Sequence, residues 1–175
     1  MRTPQKSATH SHRTVNLAPH PTALIESLRN IGYTLETALA DILDNSISAG
    51  AARISVRFSW NKGAPWIAVA DDGCGMTAPE LTAAMRFGSL SPLLQREEKD
   101  LGRFGLGMKT ASISQCRHLT VASGKNGGAS AAEWNLESMA SENPDEWSLG
   151  TLDASDIRGD RLLSDLFSKH IDSGG

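Results

Sequence analysis

The apolar positions change period several times along the chain, and each change marks an element. In PTALIESLRN (21–30), Leu24, Ile25 and Leu28 share a stripe behind a first-turn proline, which predicts a short helix ended by Gly32. Leu35, Leu39, Ile42, Leu43 and Ile47 keep helical spacing in the next segment. Thr34 is its N-cap, Thr37 stands where a capping box would want Glu, the helix runs to Ala49, and Gly50 stops it. In RISVRFSW (53–60) the period drops to two. Ile54, Val56 and Phe58 alternate with Ser55 and Arg57, a strand with its apolar side buried. WIAVAD (66–71) is a second strand, and the short NKGAP turn between them predicts a hairpin. TAPELTAAMRFG then reads as a helix, with Thr77 as N-cap, Pro79 in the first turn and Glu80 three residues after the cap.

Residues 88–103 have no period and contain serines, a proline and the run REEKD. A loop that long inside a compact domain is functional or disordered. MKTASISQC predicts a helix from Met108 to Cys116, and HLTVAS (118–123) and ASAAEWNL (129–136) predict strands around a KNGG turn. Leu162, Leu163, Leu166 and Phe167 mark a last helical stripe, whereas DEWSLGTLDASD is a poor buried strand. The polar, aperiodic residues 1–19 are expected to form a flexible tail, with one domain over 20–175. The terminal SGG is a strange place for a domain to stop, so the chain is expected to be the N-terminal part of a longer protein.

Composition removes several classes. With 17 basic and 20 acidic residues the net charge is −3, which argues against a broad basic face built for nucleic acid. No apolar run is long enough to span a membrane, and no secretory signal follows the N-terminal basic residues. Cys74 and Cys116 are too few for a disulfide scaffold and suit a reducing, cytoplasmic setting. Both are expected as packing residues. His10, His12 and His20 match no zinc spacing.

Three stretches carry candidate chemistry. In ADILDNSISAG, Asp41 and Asn45 lie four apart on one helical stripe with Ser48, while Asp44 is rotated away. The pair is either a solvated face or an oxygen set for a hydrated Mg²⁺ and an activated water. In VADDGCGM a strand ends in Asp71 and Asp72 followed by Gly73 and Gly75. It is either a tight turn or a pocket in which Asp71 accepts an exocyclic amino group, Gly75 lets a flat ring approach and Met76 covers it. In LGRFGLGMKTAS, Gly102, Gly105 and Gly107 lead to a helix start, where backbone N–H groups, Lys109 and Thr110 would suit phosphate. The spacing is neither a Walker A loop nor a Rossmann fingerprint.

Taken in order, these stretches resemble the N box and the two glycine boxes of the gyrase, heat-shock chaperone, histidine kinase and MutL (GHKL) ATP-binding domains, over residues 20–125. DNSISAGA and GRFGLGMKTAS look closest to the MutL and MORC-like branch, of bacterial type. The resemblance implies an α+β Bergerat fold: a two-layer sandwich with helices on one face of a mixed, mostly antiparallel sheet, truncated at its C-terminal end. Its core motifs would occupy 34–123.

The resemblance also implies roles. Asn45 would hold Mg²⁺ against the triphosphate. Asp41 would be the general base, although the family's ATPases usually carry Glu there, so hydrolysis would be slow. Asp71 would receive the adenine amino group, Gly73, Gly75 and Met76 would shape that pocket, and Asp72 would be solvated or near Mg²⁺. Residues 87–106 would be the ATP lid, hinged at Phe87, Gly88 and Ser89, with Arg103 able to reach the γ-phosphate. Gly102, Gly105, Leu106, Gly107 and Met108 would wrap the phosphates, joined by Lys109 and Thr110. Gly150-Thr151 offers the letters of a further phosphate-contacting strand. ATP binding would drive a conformational switch and dimerisation, with a DNA or protein client reached through domains further along. Two readings compete: a nucleotide-binding module that no longer hydrolyses, and a histidine kinase catalytic domain, for which the polar N-terminal histidines make a poor phosphoacceptor helix.

Overall fold

A computed structural model describes residues 15, 17, 19–30, 32–87, 107–142 and 144–171. The rest of the N-terminal tail and the loop at 88–106 lie outside the described residues. The elements run α1 (Pro21–Arg29), α2 (Leu35–Ser48), β1 (Ile54–Ser59), a 3-10 turn (Asn61–Gly63), β2 (Trp66–Asp71), α3 (Ala78–Met85) and α4 (Gly107–Gln115). They continue with β3 (His118–Lys125), β4 (Gly128–Asn135), α5 (Leu136–Glu142), β5 (Gly150–Leu152), α6 (Ala154–Gly159) and α7 (Arg161–Ile171).

The strands form two antiparallel sheets, β1-β2 and β3-β4-β5. Asn126 and Gly127 both adopt positive φ, 55° and 77°, at the β3–β4 turn, the backbone twist that a two-residue hairpin loop requires. The core lies between the three-stranded sheet and the helices. Ile25 of α1, Leu81 and Met85 of α3, Ile113 of α4 and Met139 of α5 close over Ala132 and Trp134 of β4, all almost completely buried. Burying each large side chain contributes about 1.5–3 kcal/mol. The indole N–H of Trp134 donates to the Met85 carbonyl at 3.0 Å, so the largest core residue leaves no polar atom unpaired. Arg29, in the last turn of α1, donates to the carbonyls of Ile113 and Cys116, placing a cation at the negative end of α4.

Three expectations change. Opposite residues of the hairpin share a face, so Val56 goes with Val69 and Phe58 with Ile67. That apolar side is the open one, with Val56 45% and Phe58 74% exposed, while Ser55, Arg57 and Ser59 are half-buried. The covered side faces α7, where Arg57 Nη1 donates to Asp165 at 2.8 Å. Alternation shows which residues share a face, not which face a helix will cover. Next, Leu136 begins α5 instead of ending a strand, because Asn135 Oδ1 accepts the N–H groups of Glu137 and Ser138 and caps the helix. Finally, Gly150–Leu152 does form a strand, three residues paired with Ala131, Ala132 and Glu133.

Helix α3 starts where its pattern placed it. The Glu80 carboxylate accepts the Thr77 N–H at 2.7 Å and hydroxyl at 2.8 Å, and Lys125 at 3.1 Å. These bonds, the backbone one first, hold its carboxyl at about 2 instead of 4.5. Because the folded value is the lower one, the contribution is complete above 4.5 and is lost as pH falls toward 2. Glu80→Gln is therefore expected to flatten the acid limb of stability over that interval, read from unfolding midpoints against pH. Superimposable acid limbs would contradict it.

Candidate functional site

Helix α2 is the spine along which the three stretches meet. Thr34 caps it, accepting the Thr37 N–H at 3.3 Å, and Gly50 follows with φ 76°. Asp41 and Asn45 stand one turn apart on a partly open side. Asn45 Nδ2 donates to the Asp41 carbonyl at 2.7 Å, which leaves its Oδ1 as the amide's free acceptor among the described residues. Asp41 Oδ2 accepts the Tyr33 hydroxyl at 2.9 Å. One residue on, Ser46 is 4% exposed and bonds Asp71 Oδ2 at 2.8 Å. At the helix end the Ala49 carbonyl accepts the Cys74 N–H at 2.9 Å.

The loop after β2 is drawn tightly onto this helix. Asp71 Oδ1 accepts the Gly73 N–H at 3.0 Å, and a Cβ at Gly73 would lie 2.7 Å from that of Ala49. Gly75 has φ 61°, and a Cβ there would fall 2.0 Å from the Gly124 carbonyl oxygen. The Met76 N–H donates to Ser123 Oγ at 2.7 Å, and its side chain packs against the core. The glycines thus serve close approach on both sides: to α2 at Gly73 and to β3 at Gly75.

Two neighbours depart from expectation. Asp72 is not simply solvated, its side chain being only 13% exposed. Its Oδ1 accepts the N–H groups of Ala52 and Arg53 at 2.8 Å, and Oδ2 accepts Arg53 Nε at 3.1 Å. Those bonds hold its carboxyl below the usual range. It fastens the α2–β1 turn. Cys74 is exposed rather than packed, because its glycine neighbours are the ones pressed inward. Cys116 is half-buried, and burial pushes its thiol up.

Helix α4 brings the third stretch in. A methyl at Gly107 would lie 4.0 Å from Asp41 Oδ2, so the positive end of α4 approaches that carboxylate. Met108 packs against the core. Lys109 is not exposed: it is 3% accessible and donates to the Ala84 carbonyl near the end of α3, and burial pushes its ammonium down to about 8. Thr110 is 8% exposed. Gly88, Ser89, Gly102, Arg103, Gly105 and Leu106 lie outside the described residues. Phe87, expected as a hinge, packs 5.4 Å from Trp134 and 5.7 Å from Trp147, ring centre to ring centre.

Two site residues escape a reading by motif. Ser46 is a polar letter on the apolar Leu35–Leu39–Ile42 side of α2, and that misplacement was the signal for it. Tyr33 had no signal, because its bond to Asp41 depends on how the chain turns before the N-cap. The donor set fits a magnesium nucleotide. Asn45 Oδ1 is a hard oxygen with no partner among the described residues, and no three His, Cys, Asp or Glu cluster there as a protein-only metal cage. Mg²⁺ is held in just this way, by one or two protein oxygens with phosphates and water.

The chain is 40% identical over 88 residues to the DNA mismatch repair protein MutL of Rhizorhabdus wittichii, covering 50% of this chain and 15% of that protein. It is 33% identical over 109 residues to MutL of Paramagnetospirillum magneticum, covering 62% and 18%. It is 37% identical over 79 residues to mouse MORC family CW-type zinc finger protein 1, covering 43% and 8%. The chain thus matches less than a fifth of the length of these relatives. Among the described residues, no helix is long and apolar enough to cross a membrane. Residues 33–169 match the family described as histidine kinase-, DNA gyrase B- and HSP90-like ATPase, and the chain belongs to that family, whose membership supports ATP binding.

Proposed function

We propose that the chain binds ATP with Mg²⁺ along α2, hydrolyses it slowly, and uses the bound and spent states as a conformational switch that pairs two copies. The observation that carries this is the convergence of Asp41, Asn45 and Ser46 on one helix with Asp71 at one end and the start of α4 at the other. Asp71 accepts the adenine amino group, and Asn45 offers its amide oxygen to Mg²⁺. The N-terminus of α4 faces the phosphates with its N–H groups, Gly107 and Met108 first. Magnesium would supply charge neutralisation between the phosphate oxygens. Asp41 takes a proton from the attacking water. The shorter Asp side chain, where the resembling ATPases usually carry Glu, also favours a second reading, a module that binds without turnover.

Calorimetric titration with ATP and with GTP, each with and without Mg²⁺, tests the assignment. ATP is expected to bind at least about tenfold more tightly than GTP, since a carboxylate facing the guanine carbonyl loses a bond and gains a repulsion. Asn45→Ala is expected to remove the Mg²⁺ dependence while leaving nucleotide-free stability in place. No heat with ATP, or equal affinity for GTP, would overturn the reading.

A further inference from the structure

We propose that Tyr33 is the positioning residue for Asp41, gripping one carboxylate oxygen so that the other is presented to the attacking water. The proposal rests on reading the site as an ATPase. Oδ2 of Asp41 is held by the Tyr33 hydroxyl at 2.9 Å, on the side of the carboxylate that the start of α4 approaches at Gly107. Oδ1 has no partner among the described residues, and it is the oxygen left for chemistry.

Tyr33 is itself held. Its carbonyl accepts Gln115 Nε2 at 3.0 Å, and Gln115 is the last residue of α4, so the tyrosine bridges α4 to α2. Those two helices are packed directly against each other. A free Asp side chain samples several rotamers, only some of which face the water. The phenol bond selects one. This matters more for Asp than for Glu, because the shorter side chain has less reach with which to correct a wrong orientation. In the step so served, a water proton passes to Asp41 Oδ1 while the water oxygen bonds the γ-phosphorus. The bond from that phosphorus to the bridging oxygen breaks, and the electron pair leaves with ADP.

The test is kinetic, with a spectroscopic check. Tyr33→Phe is expected to lower kcat by roughly tenfold or more with KM for Mg-ATP changed less than about twofold. In an Asp41→Glu background the same change is expected to cost less than about twofold, because the longer carboxylate reaches the water without the grip. Tyr33 is the sole tyrosine of the chain, so its ionisation can be followed by absorbance. The bond raises it above 10.0, and Asp41→Asn should bring it back toward that value. Unchanged kcat in Tyr33→Phe, an equal loss in both backgrounds, or ATP bound with no turnover would overturn the proposal while leaving the nucleotide site standing. Failure to bind ATP at all would overturn the site reading and this proposal together.

Discussion

Asp71→Asn is expected to weaken ATP binding by roughly a hundredfold while the unfolding midpoint barely moves. The asymmetry follows from the two bonds that Asp71 already makes. Its Oδ1 accepts the Gly73 N–H at 3.0 Å, and its Oδ2 pairs with the Ser46 hydroxyl at 2.8 Å. An Asn side chain keeps both: its oxygen accepts from Gly73, and its amide nitrogen donates to Ser46 Oγ, since a hydroxyl works in either direction. The fold therefore loses little. The ligand loses more. A carboxylate has lone pairs left for an amino group, whereas the Asn amide nitrogen opposes a donor with a donor. Replacing a charge-assisted bond by that opposition costs about 1.5–3 kcal/mol, and RT converts the upper part of that range to about a hundredfold. Calorimetry with Mg-ATP and a thermal melt on the same sample decide it. Retained affinity would mean the adenine lies elsewhere, and a large loss of stability would mean Asp71 is a structural staple like Asp72.

How much of this was legible in the letters depends on the range of the interaction. Helices α2 and α3 were readable because their caps are local: Thr34 bonds Thr37, and Thr77 bonds Glu80, three residues away in each case. The glycine stretch after β2 was legible for a different reason: Gly73 and Gly75 answer to close backbone approach, which restricts residue type at fixed spacing. What failed was non-local. The pattern of β1 named its two sides correctly and assigned burial to the wrong one, since α7, more than a hundred residues later in the case of Asp165, covers the Arg57 side. The exposed alternative for Lys109 was weighed against its own helix start, whereas a carbonyl that its ammonium meets, that of Ala84, belongs to α3. The bond of Asp72 to Ala52 and Arg53 likewise crosses nineteen or twenty positions, and nothing in DDGCG announces it.

Gly75→Ala is expected to destabilise the domain by about 3 kcal/mol or more, through two separate costs that a control resolves. The first is conformational. At φ 61° an L-residue with a Cβ is strained by about 1–2 kcal/mol. The second is contact. The new methyl would sit 2.0 Å from the Gly124 carbonyl oxygen and 3.1 Å from its carbon, both backbone atoms of β3. No rotamer relieves an overlap with backbone, so either the loop or the strand must move, at a further cost of about 1–3 kcal/mol. The Met76–Ser123 bond, next along the loop, would be stretched by the same movement. Gly127→Ala isolates the first cost: its φ is 77°, and nothing lies within 4 Å of its added Cβ. That variant is expected to lose only about 1 kcal/mol. For a domain of this size each kcal/mol lowers the midpoint by about 2–4 °C, so the two variants should differ by several degrees in a melt. If Gly75→Ala and Gly127→Ala melt together, the close approach of the glycine loop to β3 is wrong, and with it the placement of the pocket wall behind Asp71.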